Sequence, residues 1–217
     1  MNILIADDHQ LIIEAYKSFF SSTKFNSKIN LIEANSCEEA YDKIILSLKN
    51  NQQIDLAILD YSMPVFLEKN ILNGADICIF LQNQLPSCKI LIVTGIMESI
   101  TFFEIAQNIK PHGIASKSDI NADNFFLILE NILKGKKFQS NYVKKCVEDI
   151  WDNQTLIKEK NRVILRYLSK GSRLKEIAND LAVSEISIKK RVSKIRQSLN
   201  LNEDENLLKE AKTRGYI

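Results

Sequence analysis

The sequence has 217 residues, of which 45% are hydrophobic and 26% charged, an ordinary globular composition with room for one large or two small domains. With 6 Gly and 3 Pro it is neither collagen-like nor a Pro-rich disordered chain. A net charge of +2 conceals an asymmetry: residues 1–135 carry 10 Lys and Arg against 16 Asp and Glu, whereas residues 136–217 carry 19 against 11. A basic module joined to an acidic one points to a polyanionic partner for the second half alone.

In the first half, apolar segments recur at Ile3–Ala6, Ile29–Ile32, Leu56–Leu59, Ile90–Val93 and Ile114–Ala115. Their near-continuous, β-branched character is that of strands buried on both faces. Helical patterns lie between them. Gln10–Phe20 is amphipathic. Ser36, with Glu39 three residues on, starts a helix whose apolar face runs through Ala40, Ile44, Ile45 and Leu48. Asp76–Leu85, Glu98–Asn108 and Asp123–Leu133 complete the set. Five strands alternating with five helices predict a flavodoxin-like α/β domain with a parallel sheet in the order 2-1-3-4-5. Such sheets gather functional groups at the carboxyl ends of their strands.

Asp7 and Asp8 end the first strand, Asp60 the third, Thr94 the fourth and Lys117 the fifth. Clustered carboxylates repel one another unless a cation offsets them, and oxygen donors suit a hard divalent ion such as Mg²⁺. Asp60 has the carboxylate a phosphoryl group needs as nucleophile. Lys117 can pair with that carboxylate before transfer and with a phosphoryl oxygen after it. The Thr94 hydroxyl can donate to another phosphoryl oxygen. His9 reads as a local hydrogen-bonding residue, and His112 as structural. Cys37, Cys78, Cys88 and Cys146 show no ligand or disulfide spacing.

These stretches, ILIADDHQLI at 3–12, LAILDYSMP at 56–64, ILIVTG at 90–95 and GIASKS at 113–118, resemble the receiver domain of two-component response regulators. The resemblance implies that Asp60 is the phosphoacceptor. It implies that Asp7 and Asp8 hold Mg²⁺ with Asp60 and the Ser62 backbone carbonyl, and that Thr94 and Lys117 bind the phosphoryl group. The donor implied is a sensor histidine kinase. Three departures from the family stand out. Gly74 follows Met63–Pro64 only after the long loop VFLEKNILN, which can cover the site or contact a partner. Ile114 replaces the usual aromatic switch residue. Pro111–His112 replace small residues before Gly113.

Gly135–Lys136–Lys137 ends the last helix of this domain. Residues 136–152 read as a linker containing a short helix near Tyr142–Ile150, with Trp151 as its anchor. Four helices follow: Leu156–Leu168, Leu174–Leu181, one capped by Ser184 and running to about Leu199, and Asp204–Lys212. The turn at Ala182–Val183 makes the middle pair a helix-turn-helix. Ile188, Val192 and Ile195 face inward on its second helix, while Lys189, Lys190, Lys194 and Arg196 face out with Arg191 nearby. Such a helix can enter the major groove of DNA, its cations positioning phosphates or reading base edges, with Ser184 and Ser187 donating near its start.

LIKEKNRVILRYLSKG at 156–171 and KEIANDLAVSEISIKKRVSKIRQSL at 175–199 are similar to the LuxR/NarL-type DNA-binding domain. That resemblance implies a dimer contact on the last helix, supplied here by Leu207, Leu208 and Ala211, and a pseudo-palindromic double-stranded DNA site. The domains expected are a receiver at 1–135, a linker at 136–152 and the helix-turn-helix domain at 153–217. The function expected is phosphorylation-dependent control of transcription by a cytoplasmic homodimer. No enzymatic turnover is expected beyond self-phosphorylation from phosphohistidine and slow loss of the phosphoryl group. The opening residues carry no signal-peptide pattern, and no apolar run reaches the roughly 18 residues of a membrane span. Two other readings remain: a phosphatase-like enzyme using the Asp cluster, and a protein-binding rather than DNA-binding output.

Overall fold

The computed structural model describes residues 1–21, 29–96, 98–152, 158–202 and 205–217. The side chain of Trp151 and the expected helix starts at Leu156 and Asp204 lie outside what it describes. The chain divides into two compact units, Met1–Ile96 with Glu104–Val143, and Met97–Phe103 with Lys144–Ile217.

The first unit is built on strands β1 (Asn2–Ala6), β2 (Asn30–Ala34), β3 (Leu56–Asp60), β4 (Lys89–Thr94), β5 (Gly113–Ser116) and β6 (Phe138–Gln139). All neighbours are parallel, in the order β2-β1-β3-β4-β5-β6. The predicted five-strand order is therefore present with a sixth strand added at the β5 edge. β3 is buried along its whole length, as its unbroken apolar run requires. The helices between the strands are α1 (Gln10–Ser21), α2 (Cys37–Lys49), α3 (Gly74–Gln84), α4 (Ser99–Glu104), whose residues up to Phe103 group with the second unit, and α5 (Ala122–Leu133). Ile13, Tyr16 and Phe20 of α1 and Phe125, Ile128, Leu129 and Ile132 of α5 pack on one face of the sheet. Ser36 caps α2 as expected, accepting from the Glu39 amide.

Two local predictions need correction. The single helix expected over Glu98–Asn108 is α4 followed by a π-helical turn, Ile105–Ile109, closed by Lys110 with a left-handed φ of 54°. In the segment 136–152 the helix expected near Tyr142–Ile150 is present as α6 (Asn141–Asp152), and the strand β6 ahead of it is unexpected. The Phe138 amide donates to the His112 carbonyl and the Ser140 amide to the Ile114 carbonyl. They satisfy edge groups of β5 that would otherwise lack backbone partners.

The second unit includes α7 (Glu159–Ser169), α8 (Leu174–Asp180), α9 (Glu185–Ser198) and α10 (Leu207–Thr213). Leu165, Ile195, Leu199, Leu207, Ala211 and Tyr216 share one core cluster, and Ile164, Ile177, Ala178 and Ile188 share another. Between α8 and α9, Ala182 takes a left-handed φ of 50° and the Val183 amide donates to the Ala178 carbonyl. This tight turn is the helix-turn-helix corner. Among the described residues, no helix is long and apolar enough to cross a membrane.

Candidate functional site

Strand register assembles the acidic site. Ala6 pairs with Leu59, so Asp7 and Asp60 leave neighbouring strands side by side. Asp60 pairs with Val93, and Thr94 with Ser116, which places Lys117 one residue further along. Asp7 and Asp60 are both buried, at 2% and 3% exposure. One ammonium serves the two: Lys117 Nζ lies 2.7 Å from Asp7 Oδ2 and 2.9 Å from Asp60 Oδ2.

Burial raises the Asp60 pKa, and the Asp7 charge adds to the rise. Hydrogen bonds from Lys117 and the Ser62 amide oppose it without cancelling it. Burial acts on Lys117 in the direction of a lower pKa, but its bonds to Asp7 and Asp60 outweigh this and the net shift is upward. The two directions are compatible: the pairing favours charge on both partners, and Asp60 bears the larger desolvation.

One donor atom from each of Asp7, Asp8, His9 and Asp60 falls within 4.8 Å of the others. A donor set dominated by carboxylate oxygens fits a hard divalent cation, so this cluster can bind one. His9 is the local hydrogen-bonding residue expected: its amide donates to Asp7 Oδ1 at 2.9 Å, and its Nδ1 lies 2.7 Å from Asp8 and 3.3 Å from Asp7. Thr94 is fully buried, and its hydroxyl accepts from the Ile96 amide at 3.0 Å.

Two supporting residues lie outside the sequence expectations. Tyr16 is buried and stacks on Phe125 at 5.2 Å. Burial first, then the charges of Asp7 and Asp60, push its pKa up, so the phenol stays neutral beside the acids. Its place on the Ile13, Tyr16, Phe20 face of α1 is the signal that points to it. Gly74 opens α3 against the backbone of Asp60: a Cβ built there falls 1.9 Å from the Asp60 carbonyl oxygen. Only glycine permits that approach.

The long loop before Gly74 folds on itself. Phe66 and Ile71 exchange two backbone hydrogen bonds, and Asn70 adopts a left-handed φ of 59°. Phe66 packs edge-on against Tyr41 of α2 at 5.6 Å, while Leu67 and Leu72 stay exposed.

In the second unit, Ser187, Lys190, Arg191 and Lys194 line a concavity of about 610 Å³ together with Lys158 and Asn161. Among the described residues, no acidic side chain lines it. Lys189 lies on a different concavity and pairs with Glu185 at 2.8 Å. Ser184 caps α9, accepting from the Ser187 amide, and its hydroxyl lies 2.9 Å from that of Ser187. On α10, Leu207 and Ala211 are buried within the unit's own core, whereas Leu208 is half-buried. Of the three residues expected to supply a dimer contact, Leu207 and Ala211 also serve α10 in its own packing.

Comparison with known proteins agrees with this arrangement. Residues 3–118 match the family described as the response regulator receiver domain. The chain is 23% identical over 224 residues to the transcriptional regulatory protein ComA of Bacillus subtilis, covering 99% of each. It is 21% identical to the transcriptional regulatory protein DesR of the same organism, covering 100% of this chain and 99% of DesR. A structure of RcsB from Salmonella enterica serovar Typhimurium, bound to promoter P1flhDC in the presence of phosphomimetic BeF3-, superposes with a TM-score of 0.66 at 22% identity, over 97% of each chain. The family match spans the whole of the acid cluster and the Lys117 strand end, and on that basis the chain belongs to the response regulator receiver domain family.

Proposed function

We propose that this protein is a DNA-binding response regulator of a two-component system, with a receiver at 1–135, a connecting segment at 136–152 and a LuxR/NarL-type helix-turn-helix domain at 153–217. The observation that carries the proposal is the Lys117 ammonium shared between Asp7 and Asp60 inside the acid cluster.

An Asp60 carboxylate oxygen attacks the phosphorus of a phosphohistidine on a sensor kinase. An O–P bond forms, the N–P bond breaks, and the imidazole leaves with the electron pair. Asp7, Asp8, Asp60 and the Ser62 carbonyl would hold Mg²⁺, which when bound neutralises charge on the transferring oxygens. Lys117 exchanges its bond to Asp60 for one to a phosphoryl oxygen. The Thr94 hydroxyl, which now accepts from Ile96, can donate its own proton to another. Water removes the phosphoryl group slowly, and no external substrate is turned over.

The added dianion biases the switch residues, and dimers then occupy two half-sites of a pseudo-palindromic duplex through Lys190, Arg191 and Lys194. Lys189, Ser184 and Ser187 contribute near the helix start. Leu208, with whatever part of Leu207 and Ala211 becomes uncovered, supplies the dimer contact. The cytoplasm is the compartment this reading requires.

Acetyl phosphate with Mg²⁺ tests the reading. Wild type takes up the phosphoryl group, as a mobility shift on a phosphate-affinity gel, and Asp60→Asn does not. Uptake by Asp60→Asn would refute the phosphoacceptor assignment.

A further inference from the structure

We propose that Asn161 is a positioning residue that presents the Arg191 guanidinium to a guanine in each half-site. This deepens the DNA-binding reading above and rests on it. Arg191 Nη1 donates to Asn161 Oδ1 at 3.4 Å across thirty residues of sequence. Arg191 is half-buried on α9, in the same concavity as Lys158, Lys190 and Lys194. Asn161 is a polar side chain at only 4% exposure, in the first turn of α7. Its backbone is fixed as well, the amide donating to the Lys158 carbonyl at 2.8 Å.

These facts separate Arg191 from its neighbours. A lysine ammonium is a point charge that follows phosphates, whereas a guanidinium is a planar fork that matches O6 and N7 of guanine bidentately. A fork discriminates only when its plane is held, and a free arginine loses much rotamer freedom on being held. A buried amide oxygen supplies the hold before DNA arrives. It occupies one of five N–H donors and leaves an edge for the base. Because Asn161 is neutral, it orders the guanidinium without cancelling its charge, as a carboxylate at this place would.

The experiment is selection of bound duplexes from a random double-stranded pool by the full chain with acetyl phosphate and Mg²⁺. Binding to the selected duplex and to its single-base substitutions is then measured at several salt concentrations. Wild type is expected to select one guanine per half-site whose replacement weakens binding about 10- to 100-fold. Arg191→Lys keeps the charge and the salt slope but reduces discrimination at that position to under about 3-fold. Asn161→Ala lowers discrimination at the same position, about 5-fold or more, with the salt slope unchanged. Asn161→Asp keeps the acceptor and so the discrimination, while its charge opposes that of Arg191 and weakens binding to all duplexes alike. If Asn161→Ala discriminates as wild type does at every position, the positioning role is wrong while DNA binding stands, whatever Arg191→Lys shows. If wild type shows no salt-sensitive binding to any duplex, the DNA-binding reading falls and this inference with it. If Asn161→Ala does not fold, Asn161→Leu, similar in volume and without an acceptor, is measured in its place, and discrimination equal to wild type overturns the positioning role.

Discussion

Lys117 Nζ lies 2.9 Å from Asp60 Oδ2 while the same nitrogen also holds Asp7, so a single cation suppresses the repulsion between two buried carboxylates. Lys117→Ala leaves both uncompensated. Breaking a buried pair costs roughly 3–5 kcal/mol. Partial exposure of Lys117, at 21%, reduces this to about 2 kcal/mol. The loss should appear in urea denaturation with EDTA, and Mg²⁺ should restore more stability to the variant than it adds to wild type. Because the folded Lys117 pKa lies above its ordinary 10.5, its contribution is complete below that value and is lost as pH rises through the folded one. Lys117→Ala should therefore show a flatter alkaline limb of stability against pH.

Asp60 has the opposite sign. Its folded pKa is above the ordinary aspartate value of 3.8, so the native state binds the proton more tightly than the unfolded chain does. Stability falls as pH climbs from 3.8 through the raised value, and the full penalty applies at neutral pH. Asp60→Asn should be more stable than wild type at about pH 7. The advantage should shrink on acidification and vanish below the ordinary value, as measured by denaturant midpoints across the acid range. An Asp60→Asn variant less stable than wild type at neutral pH would show that the Lys117 bond outweighs desolvation.

Gly74 tests how closely α3 and the acid site are joined. The Cβ of Gly74→Ala would meet the backbone of Asp60 at 1.9 Å from its carbonyl oxygen and 2.9 Å from its carbonyl carbon, and neither atom is the end of a flexible side chain. Overpacking of this kind costs about 1–3 kcal/mol. Displacing Asp60 should also slow phosphoryl uptake about 10- to 100-fold. A variant that is destabilised yet phosphorylated at the wild-type rate would uncouple the two.

The loop before Gly74 separates into an anchor and an exposed tip. Phe66→Ala removes a side chain at 9% exposure together with its packing on Tyr41, and should cost about 3 kcal/mol. Leu67→Ser, at a position 72% exposed, should change stability by less than about 0.5 kcal/mol. Thermal denaturation of the two variants distinguishes this anchored hairpin from a loop held at neither point.

For the basic unit, replacing Lys190 or Lys194 with Ala should lower the salt slope of DNA binding by about 0.9 for each phosphate no longer neutralised. Lys189→Ala should change it less, because Glu185 already pairs with that lysine. Equal slopes for all three variants would count against the division between the two concavities.

Much of the acid site was legible because each of Asp7, Asp60, Thr94 and Lys117 ends a short apolar run, and parallel crossovers bring such ends to one rim. The helix-turn-helix was legible from the Ser184 cap and the inward spacing of Ile188, Val192 and Ile195. What escaped depends on neighbours distant in sequence. β6 is two residues long, one of them Gln139, and has no periodicity of its own; only the bare edge of β5 makes it a strand. The π-turn at 105–109 follows an apolar pattern that an ordinary helix also satisfies. The anchor of the 65–73 loop is Tyr41, on another helix. Asn161 reads as a surface residue until α9 is placed beside it.

The sixth strand bears on where this protein can be divided. The Ser140 hydroxyl accepts from the Ser116 amide at 3.2 Å, beside the residue that leads into Lys117. A fragment cut after Gly135 would strip that cover and present β5 as a naked template for self-association. One cut after Ser140 would keep the edge sealed, and should stay dispersed at concentrations where the shorter piece precipitates.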